Sequence, residues 1–204
     1  EATPLAGSSA GAIVCAAIAS GASVQEALNA TKILAEGCRA RGTAFRLGAV
    51  LRDVFNNFLP DDAHTRSNGR AYDENNFNLS LLFLQPFFAV TQILWRPRGL
   101  LVDQFDSKED LINVAFTSSF IPGYLAPSPA TMFRNRVCID GGLTLFMPPT
   151  SATKTVVVVI VMSNGVGIQL DLDFSNKGKI VEKRLRFYQN GGGQGWGMDG
   201  FCRG

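Results

Sequence analysis

Histidine is the rarest chemically active side chain in this sequence of 204 residues, which contains only His64. In the usual α/β-hydrolase the catalytic triad has the serine first in the chain, then an acid, then the histidine. His64 comes well before any acid in a suitable context, so this triad is excluded. We expect His64 to be a solvated residue of the polar loop that follows the third predicted helix.

Cysteine is sparse as well. The four cysteines, Cys15, Cys38, Cys138 and Cys202, stand at wide and irregular intervals, with no Cys-x-x-Cys pair and no neighbouring histidine. Zinc sites and disulfide frameworks need closer and more regular spacing. We therefore expect reduced thiols, no metal site and no bound cofactor.

Neither sign of charge is in clear excess. The chain has 19 lysines and arginines against 17 acidic residues, a formal net charge of +2, and its basic residues are scattered apart from a short cluster within 179–186. No extended basic surface is indicated, so we expect no nucleic-acid partner.

Long uninterrupted apolar runs are also missing. The strongly apolar segment 79–95 contains Gln85, Pro86 and Gln92, which makes it too short and too broken for a predicted membrane span. We interpret 79–84 as a buried strand and the rest as an apolar loop or short helix. No basic region followed by an apolar one opens the sequence, so no secretory leader is expected.

What is present predicts one globular unit, because 46% of the residues are apolar and 18% are charged. Apolar spacing and capping residues predict four helices, which begin just after Ser9, near Val24 behind the capping box of Ser23 and Glu26, at Leu47, and after Ser107. Short apolar runs predict buried strands at 79–84, 100–105, 137–139 and 155–162. This alternation predicts an α/β fold with a mainly parallel sheet. The last stretch, 189–204, has six glycines within 191–200 and is predicted to be a flexible tail.

Gly7-Ser8-Ser9-Ala10-Gly11 has the Gly-x-Ser-x-Gly pattern of a nucleophile elbow. In an elbow the serine sits on a sharp strand-to-helix turn with strained backbone angles. The flanking Gly7 and Gly11 must be small so that strand and helix can approach each other. The alanine-rich stretch that follows agrees with the required helix. A small-residue turn without chemistry is the alternative at this point.

A serine nucleophile needs a base, and without a usable histidine a carboxylate remains. Asp140 directly follows the predicted strand 137–139 and precedes Gly141 and Gly142. The carboxyl end of a buried parallel strand faces the crevice where α/β sheets bind ligands, and two glycines allow a sharp turn there. An ordinary Asp-Gly turn is the alternative.

Together these motifs resemble those of the patatin-like phospholipases, in the branch that includes adiponutrin and adipose triglyceride lipase. The resemblance covers about residues 5 to 150. It extends to Leu-Pro-Asp-Asp-Ala-His at 59–64, Phe-Asp-Ser-Lys-Glu-Asp-Leu-Ile at 105–112, Phe-Thr-Ser-Ser-Phe-Ile-Pro-Gly at 116–123 and Gly-Leu-Thr at 142–144. The combination is far more specific than Gly-x-Ser-x-Gly alone.

The resemblance implies a three-layer α/β/α sandwich, with an N-terminally truncated patatin-like domain over residues 1–165 and a poorly matched segment over 166–204. It implies a lipid acyl hydrolase of the phospholipase or triacylglycerol lipase type, in which Ser9 is the nucleophile and Asp140 the proton acceptor of a Ser-Asp dyad that forms an acyl-enzyme. The implied partners are a glycerolipid substrate and a lipid droplet or membrane surface. The implied location is intracellular, either cytoplasmic or peripheral on such a surface.

One feature of the family has no counterpart here. The family carries a glycine-rich oxyanion loop upstream of the elbow, and only six residues precede Gly7. The backbone amide of Ala10 remains as an oxyanion donor. Because losing one such donor costs about a hundredfold to a thousandfold in rate, we expect this chain alone to be nearly inactive.

Two other functions remain open at this point. One is a catalytically impaired patatin-like fragment that binds lipid or protein. The other is an unrelated α/β binding protein with an accidental Gly-x-Ser-x-Gly motif. The apolar segment 79–95, with Phe83, Phe87, Phe88 and Trp95, predicts an acyl channel, a lipid-contacting surface or plain core.

Overall fold

The computed structural model describes residues 3–43, 45–68, 84–146 and 148, and the backbone of three further strands within 155–189. Contacts between Cα atoms divide the chain into two units, residues 1–149 and 150–204. The sequence suggested a boundary later, after residue 165. Of the predicted tail at 189–204, Gln189 ends a described strand and residues 190–204 lie outside the described residues.

The first unit contains five described helices. They are α1 (Ala10–Ala19), α2 (Val24–Arg41), α3 (Leu47–Phe58), α4 (Ala63–Ser67) and α5 (Lys108–Ser118). The four predicted helices are confirmed as α1, α2, α3 and α5, and α4 was not predicted. The capping box before α2 forms as expected, since Ser23 Oγ accepts the Glu26 amide at 3.2 Å and the Glu26 carboxylate accepts the Ser23 amide at 2.8 Å.

His64 lies in α4, so the expectation of a solvated loop residue is wrong. Its Nδ1 atom is buried and has no hydrogen-bond partner among the described residues. Its Nε2 atom lies 3.3 Å from the hydroxyl of Thr65. Directly after this short helix, the Asn68 side chain exchanges two hydrogen bonds with the backbone of Phe105, at 2.8 and 2.9 Å.

Five strands form the sheet of the first unit. They are β1 (Thr3–Gly7), β2 (Leu84–Gln92), β3 (Arg98–Val102), β4 (Thr131–Phe133) and β5 (Arg136–Asp140). The hydrogen-bonded order is β1-β2-β5-β4, and β3 also pairs with β2. The α/β class is confirmed, and the arrangement agrees with the three-layer sandwich that the resemblance implies.

The sheet is mixed. Of the pairs in the described sheet, β1 with β2 is parallel, and β2 with β3, β2 with β5, and β4 with β5 are antiparallel. Short connections impose two of the antiparallel pairs, β2 with β3 and β4 with β5, because a parallel neighbour needs a crossover of a dozen or more residues. A two-residue turn, Arg134-Asn135, joins β4 to β5 with positive φ at both positions, as hairpin turns of this length require.

The predicted loop or short helix after residue 84 is wrong, since 84–92 is β2, the strand with the most partners. Pro86 and two glutamines break the apolar pattern and conceal this strand. Pro86 is accommodated in the ladder opposite Leu5 of β1. Phe88 is completely buried, so plain core is the correct interpretation for that residue. Residues 79–83 lie outside the described residues.

The core lies between the sheet and α1 and α5. Helix α1 buries Ala12, Cys15, Ala16 and Ala19, and its small side chains allow the close approach to β1. The prediction of a buried helix holds for this face only, because Val14 and Ile18 on the other face are exposed. None of the helices in the described part of the chain is long and apolar enough to cross a membrane.

The second unit contains β6 (Thr155–Ser163), β7 (Val166–Phe174) and β8 (Ile180–Gln189), which form an antiparallel sheet in the order β6-β7-β8. The strand predicted at 155–162 is confirmed as β6. A register shift interrupts the β7–β8 ladder at Asp173 and Phe174.

Candidate active site

Ser9 occupies a strained turn between β1 and α1. Strand β1 ends at Gly7, helix α1 begins at Ala10, and Ser9 between them has φ 54° and ψ −128°. A positive φ brings the Cβ of a non-glycine residue close to the backbone and costs about 1–3 kcal/mol. The strain that the sequence motif requires at this serine is therefore present. The catalytic role of Ser9 stays a prediction.

The two motif glycines differ in what they allow. A Cβ on Gly7 would lie 2.6 Å from the carbonyl oxygen of Gly11 and 2.7 Å from Cys15 Sγ. Gly7 must therefore be small for β1 and α1 to pack. A Cβ on Gly11 would meet nothing within 4 Å, so the described structure gives no steric reason for glycine at that position.

Cys15 closes the back of this turn. It is buried in α1, and burial raises the pKa of its thiol to about 12, since the uncharged thiol is favoured where water is excluded. The thiolate is the reactive form. Cys15 is thus a packing residue beside the elbow, in agreement with the expected reduced thiol.

Both backbone groups of Ser9 are hydrogen-bonded to side chains at the end of α5. The Ser9 amide donates to Ser118 Oγ at 3.2 Å. The Ser119 hydroxyl donates to the Ser9 carbonyl oxygen at 2.8 Å. Both serines are buried, and the strained residue is held on both sides by the same helix end.

Asp140 ends β5 and is fixed by two hydrogen bonds. Its amide donates to the carbonyl oxygen of Phe120 at 2.9 Å, and its Oδ1 atom accepts the Gly142 amide at 2.7 Å. The second carboxylate oxygen, Oδ2, is buried and has no hydrogen-bond partner among the described residues. A buried polar atom without a partner is uncommon and calls for an explanation.

The two glycines after Asp140 permit a close approach to β2 rather than an unusual φ. Residues Gly141–Leu143 form a 3-10 turn. A Cβ on Gly141 would lie 2.0 Å from the carbonyl oxygen of Ala89, and one on Gly142 would lie 2.9 Å from Asp140 Oδ1 and 3.6 Å from Ser8 Oγ. The Asp140 carboxylate and Ser8 of the elbow therefore both lie close to Gly142.

Asp140 reaches the elbow by a different route from the expected one. Its strand is antiparallel to β2, so the expectation of a parallel strand end is wrong. Gly7 is paired with Phe88 and Asp140 with Val90. Strands β1 and β5 thus run toward each other along β2, and their carboxyl ends lie two positions apart, about 7 Å along the strand.

Helix α1 points its amino end at this junction. Ala10 is its first residue and is exposed, and its backbone amide makes no hydrogen bond within the described ranges. The first amides of a helix lack intrahelical acceptors and carry the positive end of the helix dipole. The Ala10 amide can therefore donate to an anion that forms beside Ser9.

Sequence reasoning brought Ser9, Asp140, Ala10 and the motif glycines to this junction, but it missed the serines of α5. In the sequence, Ser118 and Ser119 are part of the segment 116–123 that resembles the family, and no role was predicted for them. Their signal in the sequence is a run of three hydroxyl residues, Thr117-Ser118-Ser119, at the end of an otherwise apolar helix. No cluster of three or more potential metal ligands occurs among the residues that the structure describes.

Known proteins similar to this chain were found in two comparisons. A family model described as patatin-like phospholipase matches residues 2–153. The patatin-like phospholipase domain-containing protein 2 of Rattus norvegicus is 28% identical over 163 residues, which cover 78% of this chain and 30% of that protein. No solved structure matches significantly.

Two human proteins are also similar. The one named 1-acylglycerol-3-phosphate O-acyltransferase PNPLA3 is 27% identical over 163 residues, covering 78% of this chain and 30% of that protein. Patatin-like phospholipase domain-containing protein 4 is 26% identical over 181 residues, covering 86% of this chain and 63% of that protein. The chain therefore spans about a third of the length of the rat protein and the acyltransferase, and under two thirds of the last.

Proposed function

Because the chain belongs to the patatin-like phospholipase family, we propose that it is a lipid acyl hydrolase that cleaves fatty-acyl esters with Ser9 and Asp140. Family membership supports a lipid hydrolase or a related acyl-transfer activity, and it excludes the unrelated α/β protein with an accidental motif. The dyad and the substrate are the finer parts of the proposal.

The observation that carries the dyad is the unpaired Oδ2 atom of Asp140. One carboxylate oxygen is occupied by the Gly142 amide, and the other is buried without a donor. The strained Ser9 turn follows β1 on one side of β2, and Asp140 ends β5 on the other side, two positions farther along β2. The structure records no hydrogen bond between the Ser9 hydroxyl and this oxygen. Such bonds are commonly long before substrate binds.

The reaction proceeds in two halves. Ser9 Oγ attacks the ester carbonyl carbon while its proton passes to Asp140 Oδ2, and the carbonyl oxygen becomes an oxyanion that the Ala10 amide stabilises. The intermediate collapses to an acyl-enzyme, and the leaving alkoxide takes the proton from Asp140. Water then attacks the acyl-enzyme with Asp140 again accepting its proton, and the fatty acid leaves as Ser9 regains a proton.

Acyl transfer is a second candidate outcome for the same acyl-enzyme. A lipid hydroxyl in place of water would give a new ester with the same movement of protons. The name of the human relative with 1-acylglycerol-3-phosphate O-acyltransferase activity supports this alternative. The ratio of fatty acid to transferred acyl product, measured with and without an added lysolipid, distinguishes the two.

The glycerolipid substrate implies contact with a lipid droplet or membrane surface, and the β2–β3 connection fits that contact. Trp95 at its tip is 100% exposed, beside the exposed Ile93 and Leu94. Arg96 and Arg98 flank it, are exposed, and make no ion pair with other described residues. Aromatic and basic side chains favour the interface of anionic membranes. A peripheral intracellular location follows as part of the proposal.

A fluorophosphonate probe tests the dyad, because it labels only an activated serine. We expect slow labelling of the chain, in keeping with the nearly inactive chain that the sequence predicts. Ser9→Ala should not be labelled, and labelling of Asp140→Asn should be slower still by at least about a hundredfold, the usual contribution of a general base. Ser8→Ala is the matched control, since Ser8 is the neighbouring serine and its hydroxyl has no partner in the described structure.

The outcomes separate the possible functions. Labelling that persists in Ser9→Ala but is lost in Ser8→Ala would show that the nucleophile is Ser8 and would refute the role of Ser9. A folded chain that binds lipid vesicles without being labelled would support the catalytically impaired binding module. If the chain is labelled but releases no fatty acid from any glycerolipid, Ser9 is an activated serine and the proposed lipid substrate is refuted.

A further inference from the structure

Three consecutive residues at the end of α5 contact both halves of the proposed dyad. Ser118 Oγ accepts the Ser9 amide, the Ser119 hydroxyl donates to the Ser9 carbonyl, and the Phe120 carbonyl accepts the Asp140 amide. We call residues 118–120 the serine bridge. It is the one described segment with hydrogen bonds to the backbones of both Ser9 and Asp140.

Ser9 needs external support because its own side chain provides none. Its hydroxyl makes no capping hydrogen bond to α1, although Ser9 directly precedes that helix. A backbone with positive φ persists only where the surroundings hold it. The hydrogen bonds from Ser118 and Ser119 act on the two peptide groups that flank the strained φ and ψ angles.

The bridge is itself anchored in the core. Phe120 is almost fully buried and its ring lies 5.6 Å from the ring of Phe116. Ser118 is completely buried. The serine bridge is therefore held in the core, and both the elbow and the end of β5 are hydrogen-bonded to it.

Ser119 has two acceptors within reach but only one hydroxyl hydrogen. The Ser9 carbonyl oxygen is at 2.8 Å and the Ala115 carbonyl oxygen, one turn back in α5, is at 3.0 Å. A bond to the preceding turn is the ordinary choice of a serine in a helix. The Ser9 carbonyl oxygen is the nearer of the two acceptors.

We propose that Ser118 and Ser119 are positioning residues that hold Ser9 in its reactive backbone conformation and in register with Asp140. This rests on the proposed function of Ser9 and Asp140. The serines do not touch substrate, and they act through the backbone of the nucleophile. Replacing either serine with alanine should clearly lower the reactivity of Ser9 and should destabilise the fold only slightly.

The first measurement is the rate of fluorophosphonate labelling at saturating probe. We expect Ser118→Ala and Ser119→Ala each to slow it about fivefold, the factor that corresponds to one ordinary hydrogen bond, with little change in the probe concentration needed for half saturation. Ser119→Thr retains the hydroxyl and should restore most of the rate. Thr117→Val is the matched control, because the Thr117 hydroxyl is buried on the same helix end and has no partner among the described residues.

The second measurement needs no activity. In the unmodified chain, amide hydrogen exchange should be slow at Ser9, whose amide is bonded to Ser118, and fast at Ala10, whose amide is not. Ser118→Ala should make Ser9 exchange faster, while Thr117→Val should not.

The results separate the positioning role of Ser118 and Ser119 from the proposed function of Ser9 and Asp140. Equal labelling rates for the chain, Ser118→Ala and Ser119→Ala would overturn the positioning role. A chain that is folded but never labelled would refute the proposed function, and the exchange rates would then judge the bridge alone. Equal exchange at Ser9 and Ala10 in the unmodified chain would refute the bridge whatever the activity.

Discussion

Replacing Gly141 by alanine tests the closest contact at the site. A Cβ there would lie 2.0 Å from the carbonyl oxygen of Ala89 and 2.5 Å from its carbonyl carbon. Ordinary contacts between carbon atoms are about 3.5 Å or longer, so the backbone must separate by more than about 1 Å. Ala89 is buried in β2 and the obstructing atoms are backbone. Rotation of a side chain cannot relieve the clash.

The expected cost follows from this geometry. Overpacking typically destabilises by about 1–3 kcal/mol, and we expect Gly141→Ala at the upper end because both contacting groups are main chain. For a chain of about 200 residues, 3 kcal/mol lowers Tm by about 6–12 °C. Thermal unfolding followed by circular dichroism measures this directly.

Two other glycines of the same site provide matched comparisons. Gly11→Ala meets nothing within 4 Å and lies in a helix, so it should stabilise by about 0.4–1 kcal/mol. In Gly142→Ala the added Cβ would lie 2.9 Å from the Asp140 carboxylate. This substitution should strongly lower the rate of Ser9 labelling and should change Tm only slightly. If Gly141→Ala melted at the same temperature as Gly11→Ala, the close approach of the turn to β2 would be disproved.

Three further predictions concern other parts of the first unit. Burial raises the pKa of Cys15 from 9.0 to about 12. The contribution of the uncharged thiol to the free energy of unfolding is therefore complete below pH 9 and is lost as the pH rises toward 12. Across this window the free energy of unfolding should fall by up to roughly 4 kcal/mol. Cys15→Ala should lack that part of the alkaline loss, and identical pH profiles from urea titrations would contradict it. Asn68→Ala leaves the two Phe105 backbone groups without partners and should destabilise by about 1–3 kcal/mol, whereas Asn68→Asp, which keeps the acceptor for the Phe105 amide, should cost less in the same chemical denaturation. In a Trp196→Phe background, the fluorescence of Trp95 should shift to the blue on vesicles with anionic lipid and not on neutral ones; no shift on either would remove the β2–β3 connection from the lipid contact, and Ser9 labelling should be unchanged by Trp95→Ala.

Local sequence signals predicted the helices well, for physical reasons. The capping box of Ser23 and Glu26 and the cap of Ser107 use short-range hydrogen bonds that the sequence states outright. The elbow motif similarly encodes its own turn, because a small residue at Gly7 and the strained Ser9 belong to one local structure. These features depend on neighbours within a few residues.

Features set by distant partners were not predictable in the same way. Strand β2 was missed because Pro86 and the glutamines obscure its pattern, and its position became evident only from pairing with β1, β3 and β5. The direction of β5 depends on the hairpin with β4, which the Asp140 motif does not reveal. The serine bridge joins residues about a hundred positions apart, and no periodicity predicts such a contact.

The length of that connection has a consequence for folding kinetics. The two bonds from Ser9 to the serine bridge join residues 109 and 110 positions apart in the chain. Closing so long a stretch of chain costs entropy, and proteins rich in such contacts fold slowly. Helix α1 alone does not produce a reactive serine, because the Ser9 backbone is held by residues at the end of α5. During refolding, we expect the reactivity of Ser9 to return with the tertiary structure of the first unit, so covalent labelling measures the recovery of that structure.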